Sequence, residues 1–240
     1  MSIPKILHYC WFGGSELPKE YQQYIAKWQL LMPDYKIIRW DENSVDLNCN
    51  SFVQSAYNAK KWAFVSDYFR LKALFEWGGV YLDTDVEVYK PFDSLLEDNF
   101  FCGYIWNCLI GTAVIGTEKG SKIIKDILDQ YDAKGNFELV PNNHIFTEYF
   151  LKQKWFQLNG REKIHQGIHI YPKEYFEIPP IVGKGFSCHH IANSWHDTQP
   201  IEGSIKKVAK RLIPYGIWRQ MGAKKALQMS DYYEIYKKYR

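Results

Sequence analysis

The sequence predicts an α/β fold, a mixed sheet flanked by helices with ligands held at the carboxyl ends of its strands. Three observations point there: apolar strand-like runs alternate with helical periodicity along the first 150 residues, the longest uncharged stretch is broken by glycines, and one apolar run ends in an acidic pair. That run is Gly78-Gly79-Val80-Tyr81-Leu82-Asp83-Thr84-Asp85.

Taken in order, Lys5 to Trp11 reads as a buried strand, Pro18 to Leu31 as an amphipathic helix, and Tyr35 to Trp40 as a second strand. A short helix near Phe52 to Tyr57 comes next. Lys61 to Trp77 then carries apolar residues at Phe64, Tyr68, Leu71, Leu74 and Phe75, which is helical spacing, and Gly78-Gly79 supplies a left-handed stop. The acidic strand follows. Phe100 to Thr117 is uncharged but contains Asn107, Thr112 and three glycines, so two buried strands joined by a turn explain it better than a membrane span. Ser121 to Tyr131 and Asn143 to Lys152 read as helices. The start, Met1-Ser2-Ile3-Pro4-Lys5, leads straight into the first strand and does not read as a signal peptide.

The chain has 240 residues, 46% of them hydrophobic, which is ample for one large core. Its 18 Tyr and 9 Trp fill cores, and such faces also stack on sugars and bases. Five cysteines without Cys-x-x-Cys spacing read as reduced thiols of a cytosolic chain, not a disulfide framework or zinc site. Charge is uneven. Ser204 to Arg240 holds ten basic and two acidic side chains, a surplus of +8, while the whole chain is +3, leaving −5 on the rest. Residues 1–203 thus read as the catalytic domain. Residues 204–240 read as a basic helical tail, with Leu212, Ile213, Ile217 and Trp218 interspersed. Two readings of that tail are open: an anchor on an anionic membrane surface, or an appendage packed on the domain. No nucleic-acid module is present.

The chemistry centres on Asp83 and Asp85. On a strand, residues i and i+2 share a face, and at a strand end both carboxylates can share one hard cation. Carboxylate oxygens suit Mg2+ or Mn2+, which then neutralises a departing phosphate. Two solvated turn carboxylates would look the same. Asp67 and Arg70, at i, i+3 on the preceding helix, are either a surface pair or a polar ligand clamp. Trp11 stands at the first strand's end, before Gly13-Gly14, where backbone can approach a ligand closely; it stacks on a flat base or sits in the core. Near the other end, Cys188-His189-His190-Ile191-Ala192-Asn193-Ser194-Trp195 would aim one imidazole inward, with Asn193 or Ser194 reaching a metal or phosphate oxygen. Pro141-Asn142-Asn143-His144 reads as an acceptor loop or as a helix entry capped by Asn142 or Asn143.

The blocks ILHYCWFGG, AFVSDYFRLKALFEWGGVYLDTD and HHIANSW together resemble glycosyltransferase family 32. That is a family of DXD-containing sugar transferases that includes capsular-polysaccharide enzymes. The chain is similar, more distantly, to the glucosyltransferase domain of large clostridial toxins. The resemblance runs from Ile3 to about Trp195 and includes Ile170 to Phe176. It implies a glycosyltransferase-A fold, a nucleotide-sugar donor, Mn2+ or Mg2+, and retention of anomeric configuration. By motif position it implies that Trp11 stacks on the base, with Gly13 beside it, and that Asp67 and Arg70 hold the donor sugar and ribose. It places Tyr81 and Asp83 on the nucleotide, Asp85 and His190 on the metal, and Asn193, Ser194 and Trp195 at the diphosphate. Asp83, Asp85 and Arg70 are then the catalytic set. The function expected is transfer of a hexose or N-acetylhexosamine, from a UDP-sugar, to a glycan or lipid-linked acceptor in surface polysaccharide synthesis at the cytoplasmic face of the cell membrane. The competing expectation is a non-catalytic nucleotide- or glycan-binding protein on the same fold.

Overall fold

The computed structural model describes residues 2–183, 185–191 and 213–240. Strands β1 (Ile6–Cys10), β2 (Lys36–Trp40), β3 (Gly79–Leu82), β5 (Phe100–Ile105), β6 (Leu109–Thr117), β7 (Lys163–His165) and β8 (Ile168–Tyr171) form a seven-stranded sheet in the order β2-β1-β3-β6-β5-β8-β7. Strand β1 runs parallel to β2 and β3, and β5 parallel to β8; the pairs β3–β6, β5–β6 and β7–β8 are antiparallel. The sheet is therefore mixed, as the alternation of elements implies. A separate ribbon pairs β4 (Val86–Val88) with β9 (Ser187–His189), antiparallel, with Val86 opposite His189.

Helices α1 (Lys19–Leu31), α2 (Ser51–Asn58), α3 (Trp62–Trp77), α4 (Lys122–Asp132) and α5 (Asn142–Leu151) cover the sheet, and a single turn, α6 (Lys173–Phe176), follows β8. Helix α3 is buried almost all round: Val65, Phe69 and Ala73 are as inaccessible as Phe64, Tyr68 and Leu71. It ends at Gly78 (φ 66) and Gly79 (φ 102), where a Cβ would lie 2.6 Å from the Lys119 nitrogen and 2.5 Å from the Ile6 carbonyl oxygen. Only glycine fits that double constraint. The turn feeds β3 into the sheet centre and aims Asp83 at its end. Under it His8, fully buried, holds the Gly78 carbonyl at 2.8 Å through Nε2 and receives the Trp40 indole N–H at Nδ1, 3.1 Å away.

The described part of the basic tail forms α7 (Tyr215–Gln228) and α8 (Tyr233–Tyr239). It does not stand clear of the domain. Tyr232 and Tyr236 are buried in the same apolar cluster as Phe146, Phe150 and Ile110, and Ala223 is 4% exposed. Arg219 is spent on the carbonyls of His189 (2.7 Å) and His190 (3.2 Å). Of the two open readings, packing on the domain describes these residues; the boundary at 203/204 lies outside the described ones. Among the described residues no helix is long and apolar enough to cross a membrane.

Candidate functional site

The end of β3 turns sharply. The Asp83 N–H donates to the Ala113 carbonyl on β6 (2.9 Å), and Val86 N–H returns to the Asp83 carbonyl (3.1 Å) to start β4. Strand β9 then brings residues from the other end of the chain alongside: His190 N–H donates to the Asp85 carbonyl (3.0 Å). Asp83, Asp85 and His189 each offer one ligand atom, and these atoms all lie within 4.8 Å of one another.

Register brings His189, and not the His190 that the motif implies, up to the two carboxylates. His189, the last residue of β9, lines the cavity, as does Ile191, while His190 does not. The His190 ring stacks on Tyr24 (5.2 Å between centroids, 5° between planes), with the Tyr215 hydroxyl 3.0 Å from Nδ1 and Glu87 3.4 Å from Nε2.

The inward ring is held from behind. His189 Nδ1 lies 2.7 Å from Oε2 of Glu177, which is 1% exposed, and Nε2 points to Asp85 Oδ1 at 3.4 Å. A carboxylate–imidazole pair with the second nitrogen aimed at two more carboxylates is a donor set that could hold a divalent cation, with an outer-shell carboxylate behind the ring. Burial alone would lower the His189 pKa; the Asp85 and Glu177 carboxylates outweigh it and raise it well above the usual value. A bound cation would displace that proton. Glu177 has room because Gly111 lies beside it: a Cβ on Gly111 would come within 2.3 Å of the Glu177 Oε1.

Asp67 and Arg70 are not a surface pair. Arg70 is 5% exposed and joins Asp67 (3.0 Å) to Asp83 (3.2 Å), donates to the Thr112 carbonyl (2.8 Å), and lies 4.6 Å over the Tyr81 ring centroid. Tyr81 in turn donates to Asp83 (3.0 Å). Burial pushes the Asp67 carboxyl up to about 7 against the pull of Arg70, and it raises Asp83 as well. The backbone N–H of Asn142, first residue of α5, also donates to Asp67. Pro141, not either asparagine, occupies the cap position of that helix. Asn142 gives its side-chain N–H to the Tyr131 hydroxyl (2.6 Å). Its Oδ1, like the Nε of Arg70, is buried with no partner among the described residues.

These groups line one cavity of about 620 Å3, together with Trp11, Pro18, Tyr21, Trp62, Trp106 and His144. Trp11 is half-buried, its indole N–H on the Ser15 carbonyl (2.7 Å) and its ring edge-on to Tyr21. Gly13 is not among the lining residues. Its φ is 98°, and a Cβ there would lie 2.7 Å from the Trp62 indole nitrogen, so it is a packing glycine; its N–H donates to Glu42 (2.6 Å). Asn193, Ser194 and Trp195 lie outside the described residues. Sequence reasoning passed over Glu177, His189 as the inward ring, and the unpartnered Asn142 oxygen. The one available signal was Glu177 itself, a lone acid between Phe176 and Ile178.

Residues 18–101 match the family described as "Glycosyltransferase sugar-binding region containing DXD motif". The matched stretch is about a third of the chain. It contains α3, the Asp67–Arg70 pair and the Asp83/Asp85 strand end. The chain is also 25% identical over 181 residues to Subversion of eukaryotic traffic protein A of Legionella pneumophila, covering 57% of this chain and 27% of that protein. It is 24% identical over 217 residues to Inositol phosphoceramide mannosyltransferase 3 of Schizosaccharomyces pombe, covering 82% of this chain and 57% of that one. The chain thus spans about a quarter and somewhat over half of these relatives. Among solved structures it superimposes on the PaToxG glycosyltransferase with a TM-score of 0.51 at 18% identity, over 62% of this chain and 68% of that one, which shows a common fold. The DXD region sits in a mixed α/β sheet of glycosyltransferase-A type.

Proposed function

We propose that the chain is a retaining, metal-dependent glycosyltransferase. It moves a hexose or N-acetylhexosamine from a nucleotide sugar, with a UDP-sugar first in line, to a glycan or lipid-linked acceptor in surface polysaccharide synthesis. The observation that carries this reading is the convergence of Asp83, Asp85 and His189 beside the Asp67–Arg70 pair in one cavity, with the three aspartates and Arg70 inside the matched DXD stretch. The fungal relative, named for mannose transfer to an inositol phosphoceramide, supports a hexose donor and a lipid acceptor.

Asp85, His189 and Asp83 would hold the cation; Mn2+ suits the imidazole better than Mg2+. When bound, the ion stabilises negative charge on the leaving diphosphate. The chain's own groups do the rest. Glu177 fixes the His189 ring and keeps Nε2 toward the carboxylates. Arg70 locks Asp67 and Asp83 in place. Trp11 offers its face to the base. Asp67, Asp83 and Asp85 are each engaged with Arg70 or His189, so front-face attack, with the leaving phosphate taking the acceptor proton, is preferred over a carboxylate nucleophile.

We place the anionic-membrane contact on the outer side of α7, where Ile217 (37% exposed) and Met221 (57%) stand with the exposed Lys224 and Lys225. That would hold the cavity at the cytoplasmic face of the membrane, near a lipid-linked acceptor.

The test is a screen of UDP- and GDP-sugars for hydrolysis with Mn2+, with Mg2+ and with EDTA. Asp85→Ala should lower metal-dependent turnover on the order of a thousandfold. A folded Asp85→Ala protein that keeps more than a tenth of wild-type turnover would overturn the proposal.

A further inference from the structure

A second, smaller cavity of about 310 Å3 opens beside the first. The two share Trp106, Leu109 and His144, and the tail closes the far side with Ala226, Met229 and Ser230. At the lower end of the range for small-molecule sites, this volume suits one ring-sized ligand.

The wall between the cavities has an unusual backbone. Trp106 sits in the β5–β6 turn with φ 54, and Asn107 follows at φ 71. Asparagine tolerates that region; tryptophan rarely enters it. The turn is pinned from below by Gly160, where a Cβ would lie 2.5 Å from the Asn107 Cβ. A strained, half-buried indole is thereby presented to both cavities, and strain of this kind concentrates at ligand sites. His144 is braced edge-on against Tyr232 of the tail, 5.4 Å between centroids. Among the described residues the remaining lining offers a hydroxyl from Ser230 and a carboxylate from Asp231, and no Lys or Arg. A phosphate or other anion finds no cationic partner in that lining. A neutral polyhydroxyl ring does find partners: an aromatic face for its C–H side, and a hydroxyl, a carboxylate and an imidazole for its O–H groups.

We propose that this second cavity is the acceptor subsite, taking the terminal hexose ring of a glycan with Trp106 as platform and the C-terminal helices as its outer wall. The assignment rests on the glycosyltransferase reading above, because it is the adjacency to the cation cluster that makes a sugar-binding cavity an acceptor site. It also gives the packed tail a role: α7 and α8 complete a substrate wall.

The test uses methyl α- and β-glycosides of glucose, galactose and mannose as probes, followed by saturation-transfer NMR on the full chain, with UDP affinity measured separately in Mn2+. At least one glycoside should bind to the wild type. Trp106→Gly should weaken it about tenfold or more; glycine relieves the positive φ but gives up the indole's packing on the core, so a melt establishes that the variant is folded. Met229→Trp, at a position 74% exposed, should block the cavity from the other side. UDP affinity should be unchanged in Met229→Trp, and in Trp106→Gly, whose side chain also borders the first cavity, it should fall by less than the glycoside affinity. The subsite is overturned if no glycoside binds, if both variants bind it as the wild type does, or if Trp106→Gly weakens UDP equally, which would put Trp106 in the donor site. Absence of Mn2+-dependent UDP binding in the wild type would instead strike the proposed donor reaction, and the glycoside result separates the two failures.

Discussion

Glu177→Gln should weaken the cation site without touching a proposed ligand. In the folded chain the Glu177 carboxylate is 1% exposed and receives His189 Nδ1 at 2.7 Å. Glutamine keeps the shape and can still accept one hydrogen bond. It removes the negative charge that makes the far nitrogen more basic. Outer-shell changes of this type cost 10- to 100-fold in metal affinity, or about 1.4–2.7 kcal/mol. Gly111→Ala approaches the same point from the other side. Its methyl would arrive 2.3 Å from Oε1, so Glu177 must swing away from His189. Because both changes act through one contact, the double variant should lose scarcely more than the worse single one. Free Mn2+ can be followed by electron paramagnetic resonance during titration in the presence of UDP, with thermal melts to establish folding. Mn2+ affinity within twofold of wild type in folded Glu177→Gln would refute the claim that this carboxylate orients the ligand.

Three further outcomes are expected. Trp11→Ala should weaken UDP binding in Mn2+ by ~1–3 kcal/mol, the worth of one base stack, while unchanged affinity with a sharply lowered melting temperature would mark a packing residue instead. His8 is buried neutral, and burial lowers its pKa to about 4 from 6.5, so its contribution is intact above pH 6.5 and is lost as pH falls toward 4. The limit is about 3 kcal/mol, read as a steeper acid loss of stability in wild type than in His8→Gln; parallel pH curves would contradict it. Deleting residues 213–240 should uncover the pocket that holds Tyr232 and Tyr236 and cost on the order of 5 kcal/mol, seen as a collapse of the melting transition; a truncated chain that melts like the full one would show that the tail contributes no core.

Much of the frame was legible because local signals agreed. The apolar spacing in α3, the paired glycines after it and the acidic end of β3 all lie within one short stretch, and each has a short-range physical cause. What was not legible depends on distant partners. Asp67 and Arg70 read as a ligand clamp with a surface pair as the alternative; only the arrival of β6, through the Thr112 carbonyl, and of α5, through Asn142, buries them. Two adjacent histidines cannot be told apart until Val86 is paired with His189 across a gap of about a hundred residues. The tail's basic and aromatic composition suits an anchor and a packed helix alike, and the choice lies in where Tyr232 and Tyr236 find a cavity. The β7–β8 hairpin had a local sign that went unread: Gln166-Gly167, both at positive φ, is the two-residue turn that hairpins favour.

The β4–β9 ribbon has a mechanical meaning as well as a chemical one. It is short, three residues a side, and it ties the middle of the chain to a segment a hundred residues later. An ion gripped by Asp85, just before one strand, and by His189 on the other would act as a rivet through that seam, closing a long loop that few backbone hydrogen bonds secure. Resistance to heat and to proteolysis near the seam would then rise with free metal concentration, since only the closed chain can offer both grips. The protein would stiffen as it became competent, and a cell short of the ion would hold a pool of looser, more easily degraded copies.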